Sequence, residues 1–410
     1  MASAQRTVDE HLRQILDTVM PLQPYDQPLL EALGLPLCED ITSPIDLPSF
    51  DNSAMDGYAV RREEVAAASE DNPVGLPVVG ESAAGQTKAY ALSPGSAIKI
   101  MTGAPVPNGA DAVVPIEWTD GGVARVSITQ SPEPGQHIRR AGEDVETGTL
   151  LLEEGRLIGP RETGLLAAIG RSQVLARPRP RVVVISTGSE LREPGTGLGS
   201  DSIYDANSFA LAASARQAGA IAYRVGIVPD DPERFSDTLS DQLVRADLVV
   251  TSGGVSKGDY DVVKEVLSKL GTVTFAEVGM QPGRPQGFGT VGDDNTPVFT
   301  LPGNAVSAYV SFEVFVVPAI RRMMGRLPYK RPLVRAVLAD PVDSPAGRRQ
   351  LVRSYFTVEA DGAHARAVGG HGSHLIGELA QSNALIVVPE GTTRVEAGST
   401  VDVLVLDREF

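Results

Sequence analysis

Three loops rich in glycine and hydroxyl groups each follow a short apolar run in the second half of the chain. Glycine lets backbone N–H groups approach a ligand closely, and a helix N-terminus just beyond such a loop favours an anion. One loop of this kind is most often only a tight turn, whereas three on one sheet predict a pocket for phosphate or another oxyanion. The loops are Ser186-Thr187-Gly188-Ser189-Glu190, Thr251-Ser252-Gly253-Gly254-Val255-Ser256 and Pro302-Gly303-Asn304-Ala305-Val306-Ser307.

Carboxylates stand beside these donors in the sequence. Glu190 ends the first loop, Asp230 and Asp231 follow an apolar run, and Asp259 and Asp261 come just after the second loop. Acidic groups repel bound phosphates unless a divalent cation lies between them, so these oxygen ligands predict a Mg²⁺ site. The structural alternatives are that Asp230 caps the following helix and that the last two aspartates favour the dipole of the next one.

One cationic residue and two polar sequence segments are further candidates for the functional site. Arg284 lies in a loop of glycine and proline, and its guanidinium suits an oxyanion, although a surface turn is an equal alternative. The strings at 51–60 and 101–107, taken alone, have the composition of turns. If they belong to the same site, another domain or the second subunit of a dimer must close over it, because they lie far away in sequence.

The elements expected to position the three loops form an α/β domain at 179–328. Continuous apolar runs at 182–185, 248–250 and 298–301 are typical of parallel strands that are buried on both faces. Segments with the length and spacing of crossover helices lie between and after these runs, at 208–217, 233–244, 262–270 and 306–320. We therefore expect a central three-layer α/β domain with a mostly parallel sheet.

The rest of the chain divides into three regions. Residues 1–48 and 146–178 show helical and mixed signals and predict one discontinuous domain made from two pieces. Residues 49–145 contain short apolar runs divided by glycine and proline, which predict a small β module. Residues 329–410 alternate with period two and predict a C-terminal β domain.

Composition excludes several classes of function. The net charge of −16, without a basic stripe, argues against nucleic acid as a partner. No run of about 18 apolar residues is present, so no membrane span is expected, and the polar start of the chain predicts a cytoplasmic protein without a cleaved leader. The single cysteine, Cys38, excludes an intramolecular disulfide. Of the five histidines, only His371 and His374, in a glycine-rich loop, have a spacing possible for zinc, so a structural zinc is not expected.

Six strings, spread along nearly the whole chain, carry a family resemblance. They are DNSAMDGYAV at 51–60, MTGAPVP at 101–107 with 111–115, RAGED at 140–144, STGSEL at 186–191, TSGGVS at 251–256 and LPGNAVS at 301–307. In these residues the sequence resembles the molybdopterin molybdenumtransferase family, which includes the C-terminal domain of gephyrin.

The resemblance implies an architecture and a reaction. It implies four domains in an elongated homodimer, with the α/β domain of one subunit facing the β module of the other. The implied reaction inserts molybdate into the dithiolene of adenylylated molybdopterin, with hydrolysis of the phosphoanhydride and release of AMP. Positions similar to the family's functional ones are Asp56, Thr102 and Asp144 on the β module, and Glu190, Asp230, Ser256 and Asp261 on the α/β domain.

The mechanism that we expect from the resemblance begins with Mg²⁺ held by Glu190, Asp230 and Asp261, which polarises the phosphoanhydride. The substrate supplies the thiolates for molybdenum, in agreement with the lack of protein cysteines. Some relatives carry lysine at the positions of Gln281 and Arg284, so this loop has one cation fewer. The residues expected to bind phosphate and molybdate are Gly188, Ser252, Gly253, Gly254, Ser256, Arg284, Pro302, Gly303, Asn304, Ser307, Arg353 and Ser373.

Two other functions fit the same fold. The earlier adenylylation of molybdopterin would use a similar α/β domain, but the β module and the C-terminal domain argue against it. A scaffold that binds receptor tails or biosynthetic proteins is the second alternative, and the acidic residues at the matching positions favour an enzyme over it. Molybdopterin adenylyltransferase and molybdoenzyme apoproteins are the expected transient partners.

Overall fold

The computed structural model describes residues 6–85, 91–253 and 262–410. The chain forms two compact units. The larger unit comprises Met1–Cys38, Leu157–Gly159 and Gln173–Phe410, and the smaller unit comprises Glu39–Arg156 and Pro160–Ser172. The finer division into four domains stays a prediction.

The larger unit begins with helix α1, Val8–Thr18. The Thr7 hydroxyl accepts the Glu10 N–H at 3.2 Å and the Glu10 carboxylate accepts the Thr7 N–H at 2.9 Å, so both ends of a capping box are present. The apolar residues spaced along one face are buried as far as Ile15. Prolines follow the helix, and the chain continues as strand β1, Tyr25–Pro28. The helical signal predicted for 1–48 therefore ends with α1, and residues 29–34 form turns.

The smaller unit is mainly β structure. Strands β4, β5, β6, β7 and β8 form one sheet in the order β7-β4-β6-β5-β8, and a bridge between Thr119 and Ile128 joins the segment after β7 to β8. This confirms the β character predicted for 49–145. The elements are β2 Ile41–Thr42, β3 Asn52–Ser53, β4 Gly57–Val60, β5 Val74–Ser82, β6 Ala97–Ile100, β7 Ala112–Pro115, β8 Arg125–Ile128, β9 Ile138–Arg139, β10 Leu150–Leu152 and helix α2 Pro160–Ala168.

The chain then returns to the larger unit with β11, Gln173–Ala176, which pairs with β1, and continues into an α/β region. Its sheet has the order β15-β12-β16-β20-β19-β17, in which the first four strands are parallel and β19 pairs antiparallel with both β20 and β17. The mostly parallel sheet is therefore confirmed. The strands are β12 Arg181–Ser186, β13 Leu191–Arg192, β14 Ile203–Tyr204, β15 Ile221–Arg224, β16 Leu248–Ser252, β17 Val273–Glu277, β18 Met280–Gln281, β19 Pro285–Val291 and β20 Thr296–Leu301.

Helices connect these strands at the positions that the sequence predicts. They are α3 Asn207–Gln217, α4 Pro232–Leu243, α5 Val262–Lys269, α6 Ala305–Ser311 and α7 Val317–Met324, with a π-helical turn, Phe312–Val316, between the last two. Alternate residues of β12 enter two different cores, because successive side chains of a strand point to opposite faces. Val182 and Val184 pack in a core with residues of α3 and α7, whereas Val183 and Ile185 pack with residues of α4 and α5.

The chain ends in a closed five-stranded barrel. Strand β23 pairs with both β24 and β25, and the circuit continues from β24 through β21 and β27 to β25. Strand β18 of the α/β region extends the barrel by pairing with β23. The elements are β21 Leu333–Leu338, β22 Val342–Asp343, β23 Arg349–Glu359, β24 Gly362–Ala367, helix α8 Ile376–Ala380, β25 Ala384–Val388, β26 Arg394–Val395 and β27 Thr400–Val405. The β structure predicted for 329–410 is confirmed.

Candidate functional site

The three predicted loops begin side by side at the carboxyl edge of the parallel sheet. Strand register places Ser186 opposite Ser252 and Ser252 opposite Leu301, so the three strands end at the same level. The backbone N–H of Gly253 donates to Leu301 O at 3.1 Å, and that of Thr187 donates to Ser252 O at 3.4 Å. Ligands of open α/β sheets bind at this edge, so the predicted clustering of the loops is confirmed.

Glycine is required where the second loop passes the first. Gly253 has φ +95°, in the left-handed region, and a Cβ at this position would lie 3.1 Å from Thr187 O. A Cβ at Gly303 would lie 3.6 Å from Gly253 Cα, so the third loop passes close to the second. The backbones of the loops can therefore approach a ligand together.

A fourth segment, which sequence reasoning missed, holds two of these loops. Asn207, at the start of α3, donates from Nδ2 to Ser252 Oγ at 2.8 Å and to Gly303 O at 2.6 Å. Its neighbour Asp205 is only 1% exposed and accepts from Ser186 Oγ at 3.0 Å and from the Ser208 N–H at 3.0 Å. In the sequence, the signal that could have identified this segment is two polar residues, Asp205 and Asn207, at the start of the predicted crossover helix.

Two of the predicted metal ligands lie at the first loop. The Ser189 N–H donates to Asp230 Oδ2 at 2.9 Å, and the Asp230 N–H donates to Ser189 Oγ at 3.3 Å. Gly188 has φ +154°, and a Cβ there would lie 2.6 Å from Glu190 Oε2. The Glu190 carboxylate thus lies beside Gly188, and the Asp230 carboxylate lies beside Ser189, the next residue of the loop. Both Glu190 and Asp230 are exposed.

The helix cap is Asp231 and not Asp230. The Asp231 carboxylate accepts the Arg234 N–H at 2.9 Å at the start of α4, where Pro232 occupies the first turn. The alternative that Asp230 caps this helix is therefore wrong, because the residue next to the proline occupies the capping position. The Asp230 carboxylate contacts the first loop instead.

The third loop meets the barrel. Pro302 is buried directly after β20. Asn304 lies at the N-terminus of α6, where its side chain makes no capping hydrogen bond. Ser307 is 5% exposed, so a ligand would have to reach it through the loops. The Val306 N–H donates to Ser373 O at 3.1 Å, which brings a loop of the barrel against the start of α6.

Arg353, predicted for the oxyanion end, lies under that same barrel loop. Its side chain donates to Gly372 O at 3.0 Å, to Gly370 O and to Glu378 Oε2 at 2.9 Å, and the residue is 5% exposed. The remaining donor, Nε, is buried without an acceptor. Arg353 therefore shapes the loop that carries Ser373, and its direct contact with an oxyanion stays a prediction.

Arg284 is paired with a carboxylate of the same sheet. Its Nη2 lies 2.5 Å from Glu277 Oε2, while Nε is buried without an acceptor. An oxyanion that binds here would compete with Glu277 for the guanidinium. Gln281 lies on β18 opposite Gln350 of the barrel, so this loop joins the α/β region to the barrel.

The predicted residues of the smaller unit converge with one another. Asp56 Oδ1 accepts the Thr102 N–H at 2.7 Å and the Thr102 hydroxyl at 2.9 Å, and these hydrogen bonds hold the pKa of Asp56 below its usual value. Asp144 follows β9, which pairs with β3, and its N–H donates to Leu47 O at 2.9 Å. The strings at 51–60, 101–107 and 140–144 therefore form one surface, as strand β3 also bridges to Pro105.

Three predicted site residues, Gly254, Ser256 and Asp261, lie outside the described residues, as does Asp259. Within the described ranges, one cluster of three potential metal ligands is present, Glu359, Asp361 and His364, at the turn between β23 and β24. It includes none of the predicted ligands. None of the helices in the described part of the chain has the length and apolar character that a membrane span requires.

Comparison with known proteins agrees with this arrangement of loops and domains. Three family models match in sequence: "MoeA N-terminal region (domain I and II)" at residues 6–170, "Probable molybdopterin binding domain" at 183–322 and "MoeA C-terminal region (domain IV)" at 335–406. A protein of Mycobacterium tuberculosis named molybdopterin molybdenumtransferase 2 is 46% identical over 97% of this chain and 99% of its own.

The chain belongs to the molybdopterin molybdenumtransferase family. The Haemophilus influenzae protein named molybdopterin molybdenumtransferase is 37% identical over 97% of this chain and 98% of its own. A crystal structure titled as a molybdopterin biosynthesis protein, MoeA, of Pyrococcus horikoshii superposes with a TM-score of 0.81 at 32% identity, covering 99% of this chain and 100% of that one. The family predicted from the six strings is confirmed.

Proposed function

We propose that this member of the family inserts molybdate into adenylylated molybdopterin and releases AMP, with hydrolysis of the phosphoanhydride by one water molecule. The observation that carries the proposal is the meeting of three glycine-containing loops at one sheet edge, tied by Gly253 N–H to Leu301 O and by the Asn207 side chain. Backbone and side-chain donors fixed in this way are oriented before a phosphate or molybdate oxygen arrives.

The donor set at the first loop fits Mg²⁺. The Asp230 carboxylate accepts the Ser189 N–H, and the Glu190 carboxylate lies beside Gly188. Because Gly188 has no side chain, there is room for the Glu190 carboxylate at this position. Hard oxygen ligands of this kind are those that Mg²⁺ prefers, and Asp261 is the third ligand that we propose. When bound, the ion would neutralise the phosphoanhydride and make its phosphorus more electrophilic.

Other residues of the chain are proposed to bind the phosphate and molybdate groups. We propose that Ser252, Gly253, Gly303 and Asn304 bind phosphate oxygens, and that Ser307, Arg353 and Ser373 bind molybdate. We propose that Asp56, Thr102 and Asp144 form the complementary surface of the smaller unit, where hydrogen bonds from Thr102 lower the pKa of Asp56. We further propose a homodimer in the cytoplasm, with molybdopterin adenylyltransferase and molybdoenzyme apoproteins as transient partners.

Carboxylate variants test the assignment of the metal ligands. Glu190→Gln and Asp230→Asn keep the size of each side chain and remove its charge, so AMP release should be lost while the adenylylated pterin still binds in calorimetry. Asp231→Asn is the matched control, because asparagine caps a helix as well as aspartate does and this residue lies one position away. AMP release at the wild-type rate by both variants would remove the proposed metal site.

A further inference from the structure

A second charged cavity lies in the larger unit, away from the three loops. It has a volume of about 310 Å³ and lies between α3, α7 and the segment that follows β27. Arg321, Arg326 and Arg331 line it, and we call it the arginine cavity. One water takes about 30 Å³ of liquid volume, so the space admits a small anion together with several waters. None of the three arginines has a role in the proposed transferase site.

The three guanidiniums are buried and unevenly paired. Arg326 Nη2 lies 2.8 Å from Glu409 Oε1, but the Glu409 side chain is 83% exposed. Arg331 Nη2 lies 3.3 Å from Glu313 Oε2, and both of these side chains are at least nine-tenths buried. Arg321 is 3% exposed and has no carboxylate within 4 Å among the described residues.

The donors of Arg321 and Arg331 are only partly used. Arg321 donates from Nε to Pro328 O at 2.7 Å and from Nη2 to Leu327 O at 3.2 Å, which are neutral acceptors. Arg331 Nε is buried without an acceptor. Burial, with the charges of Arg326 and Arg331, lowers the pKa of Arg321 to about 10. Arg321 therefore has only neutral hydrogen-bond acceptors, and Arg331 keeps one buried donor unused.

An aromatic ring keeps two of the guanidiniums in place without neutralising them. The ring centroid of Phe410 lies 4.0 Å from Arg321 Cζ and 4.4 Å from Arg331 Cζ. The face of a phenyl ring attracts cations, so this contact orients both side chains. It carries no net charge. Four arginines, which include Arg408, and three carboxylates, Glu313, Asp407 and Glu409, line the cavity, so its lining carries an excess of one positive charge.

We propose that the arginine cavity binds a tetrahedral oxyanion of the class of inorganic phosphate, sulfate and molybdate, at a site distinct from the transferase site. Arg321 also donates to two carbonyl groups of the segment between α7 and the barrel. Occupation by the anion should therefore stabilise the connection between the α/β region and the barrel, since a ligand that binds only the folded state raises its stability.

Calorimetric titration of the full chain with phosphate, sulfate and molybdate tests the proposal, with chloride holding the ionic strength constant. We expect at least one of the three to bind, and their order of affinity shows which of these anions the cavity prefers. Arg321→Met should weaken this binding about tenfold, since hydrogen bonds to charged groups contribute about that factor. Arg335→Met removes an exposed arginine of the barrel and should leave the affinity unchanged.

A second variant separates binding from folding. Gln217 is an exposed residue of α3 that lines the cavity, so Gln217→Glu places a carboxylate there without disturbing the core. We expect it to weaken sulfate binding and to raise the thermal midpoint in the absence of anions. No binding by any of the three anions, or equal affinity in the wild type and Gln217→Glu, would overturn the proposal. Sulfate binding that is weakened by Ser307→Ala but not by Gln217→Glu would place the anion in the proposed transferase site and would also overturn the proposal.

Discussion

Asn207 donates a side-chain N–H to Ser252 Oγ at 2.8 Å and so joins the start of α3 to the end of β16. The same Nδ2 atom reaches Gly303 O at 2.6 Å, in the loop that follows β20. One amide group therefore fixes the spacing of two loops whose backbones we propose to bind phosphate. Its contribution should appear in catalysis more than in stability.

Asn207→Ala should lower the rate of AMP release about tenfold, because removing hydrogen bonds worth about 1 to 1.5 kcal/mol lets the two loops separate. Steady-state AMP release at saturating substrate measures this effect. Asn72→Ala, which removes an exposed asparagine from a turn of the smaller unit, is the control. A rate for Asn207→Ala within twofold of the control would exclude this positioning role.

Gly253→Ala should impair both stability and activity. Its left-handed backbone, with φ +95°, disfavours alanine by about 1 to 2 kcal/mol, and the added Cβ would press against Thr187 O at 3.1 Å. Gly271→Ala is a matched control, since Gly271 has φ +74° and no neighbour within 4 Å. Urea unfolding should show a loss of stability for both variants, whereas AMP release should fall only for Gly253→Ala. Equal activity in the two variants would contradict the close approach of the loops.

His11 should make the stability of the larger unit depend on pH. Burial, with a smaller contribution from Arg6, lowers the pKa of His11 to about 4 from 6.5, and its ring packs edge-on at 4.8 Å against Phe315. Below pH 6.5 the unfolded chain takes up a proton that the folded chain excludes. Stability should therefore fall between pH 6.5 and 4, by about 3 kcal/mol, and change little further from this group below pH 4.

His11→Leu should flatten this part of the stability profile, which denaturant unfolding at several pH values between 7 and 4 measures. Met20→Leu, which changes an exposed residue just after the same helix and removes no titratable group, is the control and should keep the wild-type slope. Parallel profiles for the wild type and His11→Leu would show that His11 does not carry the pH dependence.

Arg284→Ala should raise the molybdate concentration needed for half-maximal AMP release, because this guanidinium is one of the proposed oxyanion donors. Glu277→Gln should act in the opposite direction, since it weakens the ion pair that now holds Arg284 at 2.5 Å. Titration of AMP release with molybdate measures both changes. An unchanged half-saturation in both variants would place the oxyanion elsewhere.

Much of the fold followed from periodicity alone. Continuous apolar runs identified β12, β16 and β20 to within two residues, because strands buried on both faces need no polar positions. The six family strings identified the loops at the ends of these strands and the surface around Asp56. Strand pairing, including closure of the barrel through β23 and β25, depends on contacts far apart in sequence, and no local pattern specifies it.

The parts of the site that the sequence did not predict are contacts between segments. Asn207 acts on loops that lie 45 and 96 residues away in the chain, so its importance is visible only when α3 is placed beside β16. The capping position was misplaced by one residue, since Asp230 and Asp231 are chemically alike and only the backbone distinguishes them. Arg353 had the right chemistry for an oxyanion, but most of its donors bind the loop at 370–372.

The most direct test of the central claim is the AMP released in a single turnover by the wild-type protein given adenylylated molybdopterin and Mg²⁺, with and without molybdate. We predict that AMP appears when molybdate is present and that Asp230→Asn abolishes this release. Tight binding of the adenylylated pterin with no AMP release under any of these conditions would contradict the proposed transferase reaction and indicate a scaffold that keeps the fold of the family.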